Sequence, residues 1–273
     1  MLRHGAQPLP GGGPGSQRVL AGAAWVLGRL AALGCAQGLF HVGPAQALQA
    51  WEPVSHSLTH RELQLLPQLL SALPGGGVQV QTNQGTFEAA QAVISAGPWV
   101  KDFLPSFVKT QFKICRQILH WIPKKGKAFE LGKTPIFMWG YDSGPEDFIY
   151  GFPSLDGATI KVASESFVER NHPDTILRDV SAAECEDFIQ NKIANRFNHI
   201  EKKVVQSKVC IYTVTSDSYF VVDELPDFPE VLVASACSGH GFKHSAGLGE
   251  GIADKILGKK PRFDLGVFKW KEF

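Results

Sequence analysis

Residues 231–251 read VLVASACSGHGFKHSAGLGEG. An apolar run, Val231–Ala236, leads into Cys237-Ser238-Gly239-His240-Gly241-Phe242-Lys243 and then into the small residues Ala246-Gly247-Leu248-Gly249-Glu250-Gly251. A short apolar run closed by glycine predicts a buried strand, and Ser245–Leu257 predicts a helix behind it. Glycines at a strand-to-helix turn let a ligand approach the backbone closely. The helix start then offers positive potential to an anionic or electron-rich group. A tight turn with no ligand is the other reading of the same glycines.

Working outward, Val78-Gln79-Val80-Gln81-Thr82 alternates apolar and polar residues, as a half-buried strand does. Asn83-Gln84-Gly85 is a turn signal, with Thr86–Ala92 as the returning partner. Ala92–Gly97 reads as a short buried strand ending in glycine. Further strands are expected at Gln111–Trp121, Ile136–Trp139, Phe148–Phe152, Thr159–Ser164, Lys208–Thr215, Tyr219–Asp223 and Val231–Ala236. A second helix is expected at Ala182–Arg196, with Asp179 and Ser181 as caps and Glu184 and Glu186 early, where the helix dipole favours anions. Many strands and few helices predict an α+β fold, a mostly antiparallel sheet with flanking helices.

Composition bounds the function. The chain has 273 residues, 44% hydrophobic and 19% charged, which describes a folded chain with a real core. Lys+Arg number 27 against 26 for Asp+Glu, a net charge of +1, so no bulk polycation built for nucleic acid is present. Five cysteines without regular spacing exclude a disulfide scaffold and a CxxC zinc site. His172, His199, His240 and His244 lack companion ligands at metal spacing, so no metal is expected. No uninterrupted run of about 18 apolar residues occurs, so no membrane span is expected.

The two ends differ. Every lysine lies at or after Lys101 and every tyrosine at or after Tyr141, while Glu52, Glu62 and Glu88 are the acids of the first hundred residues. Residues 1–74 form an atypical Gly/Ala/Leu-rich segment, and 75–273 a separate region. Three readings of 1–74 stand open. The segment is a targeting sequence, acid-poor with Arg3, Arg18 and Arg29; a domain remnant with an apolar helix in Val19–Phe40; or sequence foreign to the ancestral fold.

Several motifs recur in a fixed order. They are Ala96-Gly97-Pro98-Trp99, Tyr150-Gly151-Phe152-Pro153 followed by Lys161, Cys210-Ile211-Tyr212-Thr213 followed by Tyr219–Asp223, and Ser238–Lys243. In order and spacing these resemble the monomeric sarcosine oxidase and N-methyltryptophan oxidase family of FAD-dependent amine oxidases, over about residues 76–265. The resemblance implies FAD as cofactor, joined through the sulfur of Cys210. It implies a small amino-acid substrate such as sarcosine, N-methyltryptophan or pipecolate, oxidised at the carbon next to nitrogen, with oxygen as acceptor and hydrogen peroxide as product.

It also implies roles. Lys161 is the lysine that stabilises the anion developing on oxygen, and Lys243 the one that meets the substrate carboxylate. Tyr150 and Tyr212 line the substrate side. Ser238, Gly239, His240, Gly241 and Phe242 run along the flavin ring, with Ala96 and Gly97 nearby. Without the motif, Cys210 reads as a buried strand thiol, the lysines as solvated side chains and the tyrosines as core.

Two departures stand out. Where relatives often carry a histidine four residues beyond the oxygen-activating lysine, this chain has Glu165, an acid that opposes a substrate carboxylate. No G-x-G-x-x-G turn between a strand and a helix is found near residue 1. The rival to the oxidase is therefore an inactive fragment or a non-catalytic flavoprotein-like domain that binds a small ligand through Lys243. Cytoplasmic localisation and a monomeric state complete the expectation, with mitochondrion and peroxisome left open.

Overall fold

The computed structural model describes residues 16–18, 70–82, 85–144 and 146–271. The proposed helix in Val19–Phe40 and the turn residues Asn83 and Gln84 lie outside the described residues, as does most of 1–74.

Three sheets organise the described residues. In the first, β1 (Ser16–Arg18), β2 (Leu70–Ala72), β3 (Val78–Thr82) and β4 (Gly85–Ala89) lie in the order β1-β4-β3-β2. The β3–β4 hairpin pairs Val80 with Phe87, as the alternating sequence predicts. The expected return strand is shorter than its sequence signal. The chain bends at Ala90 and Gln91, and β5 (Ala92–Ile94) joins a different sheet.

The second sheet holds β6 (Phe112–Pro123), β7 (Phe137–Gly140), β8 (Phe148–Phe152), β9 (Thr159–Ser164), β10 (Glu169–Arg170) and β11 (Gln206–Thr215). The long β6 is its spine. β11 runs antiparallel along one edge of β6, while β10 and β9 share the other, and β8 and β7 extend outward from β9. The third sheet has the order β12-β13-β5, from β12 (Val221–Leu225) and β13 (Phe228–Ser235), with β5 parallel to β13. The fold is thus α+β and mostly antiparallel, with parallel pairs at β1–β4 and β13–β5.

Helices are few: α1 (Ser106–Lys109), α2 (Ala182–Asp187) and α3 (Ser245–Ile256), with a 3-10 turn at Gly97–Phe103. Ser181 caps α2 and forms a reciprocal capping box with Glu184, while Asp179 offers only its carbonyl, to Arg116. α2 then widens into a π-turn, Phe188–Ile193, closed by Ala194 N–H donating to Ile189 O at 2.7 Å. That turn buries Phe188, Ile189 and Ile193 against Ile122, Ile149, Ile160 and Val162 of the six-stranded sheet. The third sheet is covered on both faces. Val221, Val231 and Val233 meet Phe112, Val100 and Val108, while Val222, Leu232 and Ala234 meet Leu248 and Ile252 of α3. No helix among the described residues is long and apolar enough to cross a membrane.

Candidate functional site

Strand alternation places side chains, because successive residues point to opposite faces of a sheet. Residues opposite one another across a ladder share a face, so the register can be followed strand by strand. Tyr150 lies opposite Ala163, and Ala163 opposite Leu119. Phe152 lies opposite Lys161, and Lys161 opposite Trp121. On the other edge of β6, Gln117 lies opposite Cys210 and Cys115 opposite Tyr212. Tyr150, Lys161, Cys210 and Tyr212 therefore share one face, and the face packed on the π-turn is the opposite one. Four residues from two separate motifs converge here.

The side chains interlock. The Tyr150 and Tyr212 hydroxyls are 2.9 Å apart and share a hydrogen bond. Each tyrosine has a small cross-strand partner, Ala163 for Tyr150 and Cys115 for Tyr212. Lys161 is flanked by its own cross-strand neighbours. Its Nζ lies 5.6 Å from the Trp121 ring centroid and 5.3 Å from that of Phe152. These aromatic faces hold the ammonium above the sheet without neutralising it. Cys210 is 5% exposed and packs with Leu119 and Ala163 beneath Trp121 and Tyr150. Cys115, under Tyr212, is fully buried. Burial pushes its thiol up to about 11, with facing Glu169 adding to the rise, so it stays protonated and unreactive.

The glycine loop closes one side. Ser238 and Gly239 both have positive φ, 41° and 78°. A Cβ on Gly239 would stand 2.7 Å from Cε2 of Tyr212, so only glycine lets the loop lie on that ring. A Cβ on Gly241 would overlap the Ala236 carbonyl. The loop is tied to β11: Ser238 N–H donates to Thr213 O at 2.9 Å, and Thr213 N–H donates to Cys237 Sγ at 3.3 Å. The His240 ring stacks on Phe220, centroids 4.8 Å apart, with Nδ1 2.8 Å from Ser238 O.

Phe242 and Lys243 leave this face. Both are exposed on a 3-10 turn ahead of α3. Lys243 lines a cleft of about 700 Å³ with His240, His244, Tyr219, Phe220, Phe263 and other residues. His240 is thus the residue common to loop and cleft. Ala96 and Gly97 end the β5 segment. Ala96 packs on the core below the third sheet, and Gly97, with φ of 55°, opens the 3-10 turn. That turn is anchored across to the segment around β10 by Trp99 Nε1–H donating to Asp174 Oδ1 at 2.9 Å and by a Lys101–Glu169 ion pair at 2.9 Å.

The sequence motifs did not point to Gln117, Trp121 or Phe167, and they included Phe152 without a role. Gln117 is 1% exposed, and its amide both donates to Ser166 O and accepts from Ser166 N–H, pinning the loop after β9. Phe167 then packs on Tyr212, Cys115 and Val214. A polar residue at an apolar-parity position of β6 was the available signal for Gln117. No group of three or more metal-type ligands gathers among the described residues.

Comparison with known proteins follows this geometry. The profile of the family described as FAD dependent oxidoreductase, DAO, matches residues 64–255. The N-methyl-L-tryptophan oxidase of Salmonella typhi is 30% identical over 202 residues, 72% of this chain and 51% of that protein. The monomeric sarcosine oxidase of Bacillus sp. (strain NS-129) is 30% identical over 198 residues, 70% of this chain and 49% of that protein. The chain spans about half the length of the curated relatives it matches.

Among solved structures, the open form of NikD, an unusual amino acid oxidase essential for nikkomycin biosynthesis, aligns with a TM-score of 0.57 at 16% identity. That alignment covers 73% of this chain and 52% of NikD. Amadoriase I of Aspergillus fumigatus, a fructosyl amine:oxygen oxidoreductase, aligns at 0.52 and 19% identity, over 74% of this chain and 47% of that one. These likenesses show a shared fold.

Proposed function

Because the chain belongs to the FAD-dependent oxidoreductase family, we propose that it carries the substrate face of an oxidase of secondary amines, acting on N-methyl or cyclic amino acids. The observation that carries this reading is the convergence of Tyr150, Lys161, Cys210 and Tyr212 on one face of the sheet, beside a loop that must be glycine at Gly239 and Gly241. Residues 75–273 supply this region, with β1 and β2 of the preceding segment pairing into its first sheet.

The residues present fit the ring end of FAD. The face is flat and aromatic, and Gly239 leaves the loop pressed against Tyr212 with no side chain between. Cys210 is the sulfur that would tether the ring, with Ala96, Gly97 and Ser238–Gly241 bordering it. When bound, FAD accepts two electrons from the amine and returns them to oxygen. The substrate's C–H and N–H give up two electrons and two protons, oxygen becomes hydrogen peroxide, and water hydrolyses the imine.

The chain's own groups then act by position and charge. Lys161, held over two rings, stabilises negative charge developing on oxygen. Lys243 draws the substrate carboxylate from the cleft. The hydrogen-bonded tyrosine pair walls the amine side and excludes water. The enzyme works as a monomer in the cytoplasm, where its thiols stay reduced.

The test is amine-dependent peroxide release from purified protein expressed with flavin, with sarcosine, N-methyltryptophan and pipecolate. Lys161→Met should slow reoxidation by oxygen about a hundredfold while leaving anaerobic reduction within about threefold, on the scale of losing one charge-stabilising group. No peroxide with any amine would favour the second reading, a ligand-binding domain without turnover. That reading draws on the lack of a recognisable G-x-G-x-x-G unit within these residues.

A further inference from the structure

We propose that Glu165 sets the charge preference of the candidate amine site, accepting the protonated amine of the substrate and keeping a carboxylate away from that end of the face. The inference rests on the reading of this face as an amine site. In β9 (Thr159–Ser164), Lys161 and Ala163 point to the site face, and Glu165 is the first residue beyond the strand. The residue after it, Ser166, is held by the side chain of Gln117, whose cross-strand partner is Cys210. Its loop is fixed by two hydrogen bonds between the Gln117 amide and the Ser166 backbone.

Tyr212 connects Glu165 to the glycine loop. Phe167 packs on one part of Tyr212, and Gly239 lies against its ring. The loops carrying Glu165 and His240 therefore flank the same tyrosine. The His240 ring is fixed there by the stack on Phe220.

Glu165 is half-buried, yet no hydrogen bond or ion pair engages its carboxylate among the described residues. Lys161, four residues earlier, spends its ammonium on the Trp121 and Phe152 rings instead. Burial raises the Glu165 carboxyl above its ordinary range, and His240 opposes that rise. A partly desolvated carboxylate without a partner gains most from a cation. Lys243, in the cleft, meets the opposite need.

Two probes isolate the ammonium: N-methylglycine, and methoxyacetate, which has an ether oxygen in place of the NH₂⁺ group and the same carboxylate. Titration by ligand-observed NMR needs neither flavin colour nor turnover. The wild-type chain should bind N-methylglycine about tenfold tighter or more, the usual scale of one charged hydrogen bond. Glu165→Gln should bring the ratio within about twofold, and Glu165→Lys should invert it. Glu165→Gln keeps the side-chain size and breaks no hydrogen bond seen here, and an unchanged melting curve confirms its fold.

A ratio unchanged in Glu165→Gln overturns the proposal, as does a wild-type chain that binds neither probe or prefers neither. The oxidase reading falls separately. A protein that releases no peroxide but keeps the Glu165-dependent preference contradicts the oxidase alone, whereas an active oxidase without that preference contradicts only this inference.

Discussion

The two faces of the six-stranded sheet are made by neighbouring residues and behave as opposites. Ile149, Ile160 and Ile211 point one way; Tyr150, Lys161 and Tyr212, each one position later, point the other. On the first face, Ile122, Ile149, Ile160 and Val162 are sealed against Phe188, Ile189 and Ile193. Its one buried imidazole, His120, stacks on Phe188 at 4.2 Å and bonds to Ser207 Oγ at 2.9 Å. On the second face, the Tyr150 and Tyr212 hydroxyls pair with each other and Lys161 lies over aromatic rings. One face stores stability and the other holds charge where a ligand can use it. A one-residue shift in register would exchange them.

The largest expected contrast lies between adjacent residues. Ile160→Ala should cost about 2–5 kcal/mol of unfolding free energy, through lost burial and the cavity left behind. Lys161→Met should cost under about 1 kcal/mol, since it keeps the stem and loses only a partly exposed cation–π contact. Urea unfolding of both variants measures this, and equal losses would erase the distinction between the faces.

The next contrast is in pH. Burial favours the neutral ring of His120 and lowers its pKa from 6.5 to about 4, with Glu184 opposing weakly. The folded state thus binds its proton less readily than the unfolded one. The contribution is fully present above pH 6.5 and lost as pH falls toward 4, by about 3 kcal/mol at most. His120→Leu should flatten the stability curve in that window. A curve of unchanged slope would mean that the helix-packed face is not as sealed as its geometry implies.

The smallest effect belongs to the tyrosine pair. Tyr150→Phe and Tyr212→Phe should each cost about 0.5–1.5 kcal/mol, and the double variant little more than either single, because both break one hydrogen bond. Additive losses would separate the two hydroxyls.

Much of this was legible in the chain. Alternation in residues 78–82 marked a half-buried strand, Thr159–Ser164 was read as a strand, and the glycines at 239 and 241 marked a turn open to close approach. Three features were not legible. The change of sheet between Ala89 and Ala92 depends on the parallel pairing with β13, a distant partner that no local pattern announces. The π-turn at Phe188–Ile193 breaks the helical period expected through Arg196, because packing three apolar residues on the sheet overrides local regularity. Gln117 reads as one polar residue in an apolar strand, and only the loop it pins gives it meaning. Resemblance grouped Tyr150, Lys161, Cys210 and Tyr212, and the register explains physically how they come to share a face.

The central claim, that this second face holds a flavin tethered at Cys210, is tested most directly by the visible spectrum of the protein expressed with flavin, before and after acid precipitation, beside Cys210→Ser. The account predicts yellow that stays with the wild-type pellet and leaves the Cys210→Ser pellet colourless. A wild-type pellet without colour, or a Cys210→Ser pellet that keeps it, would contradict the assignment.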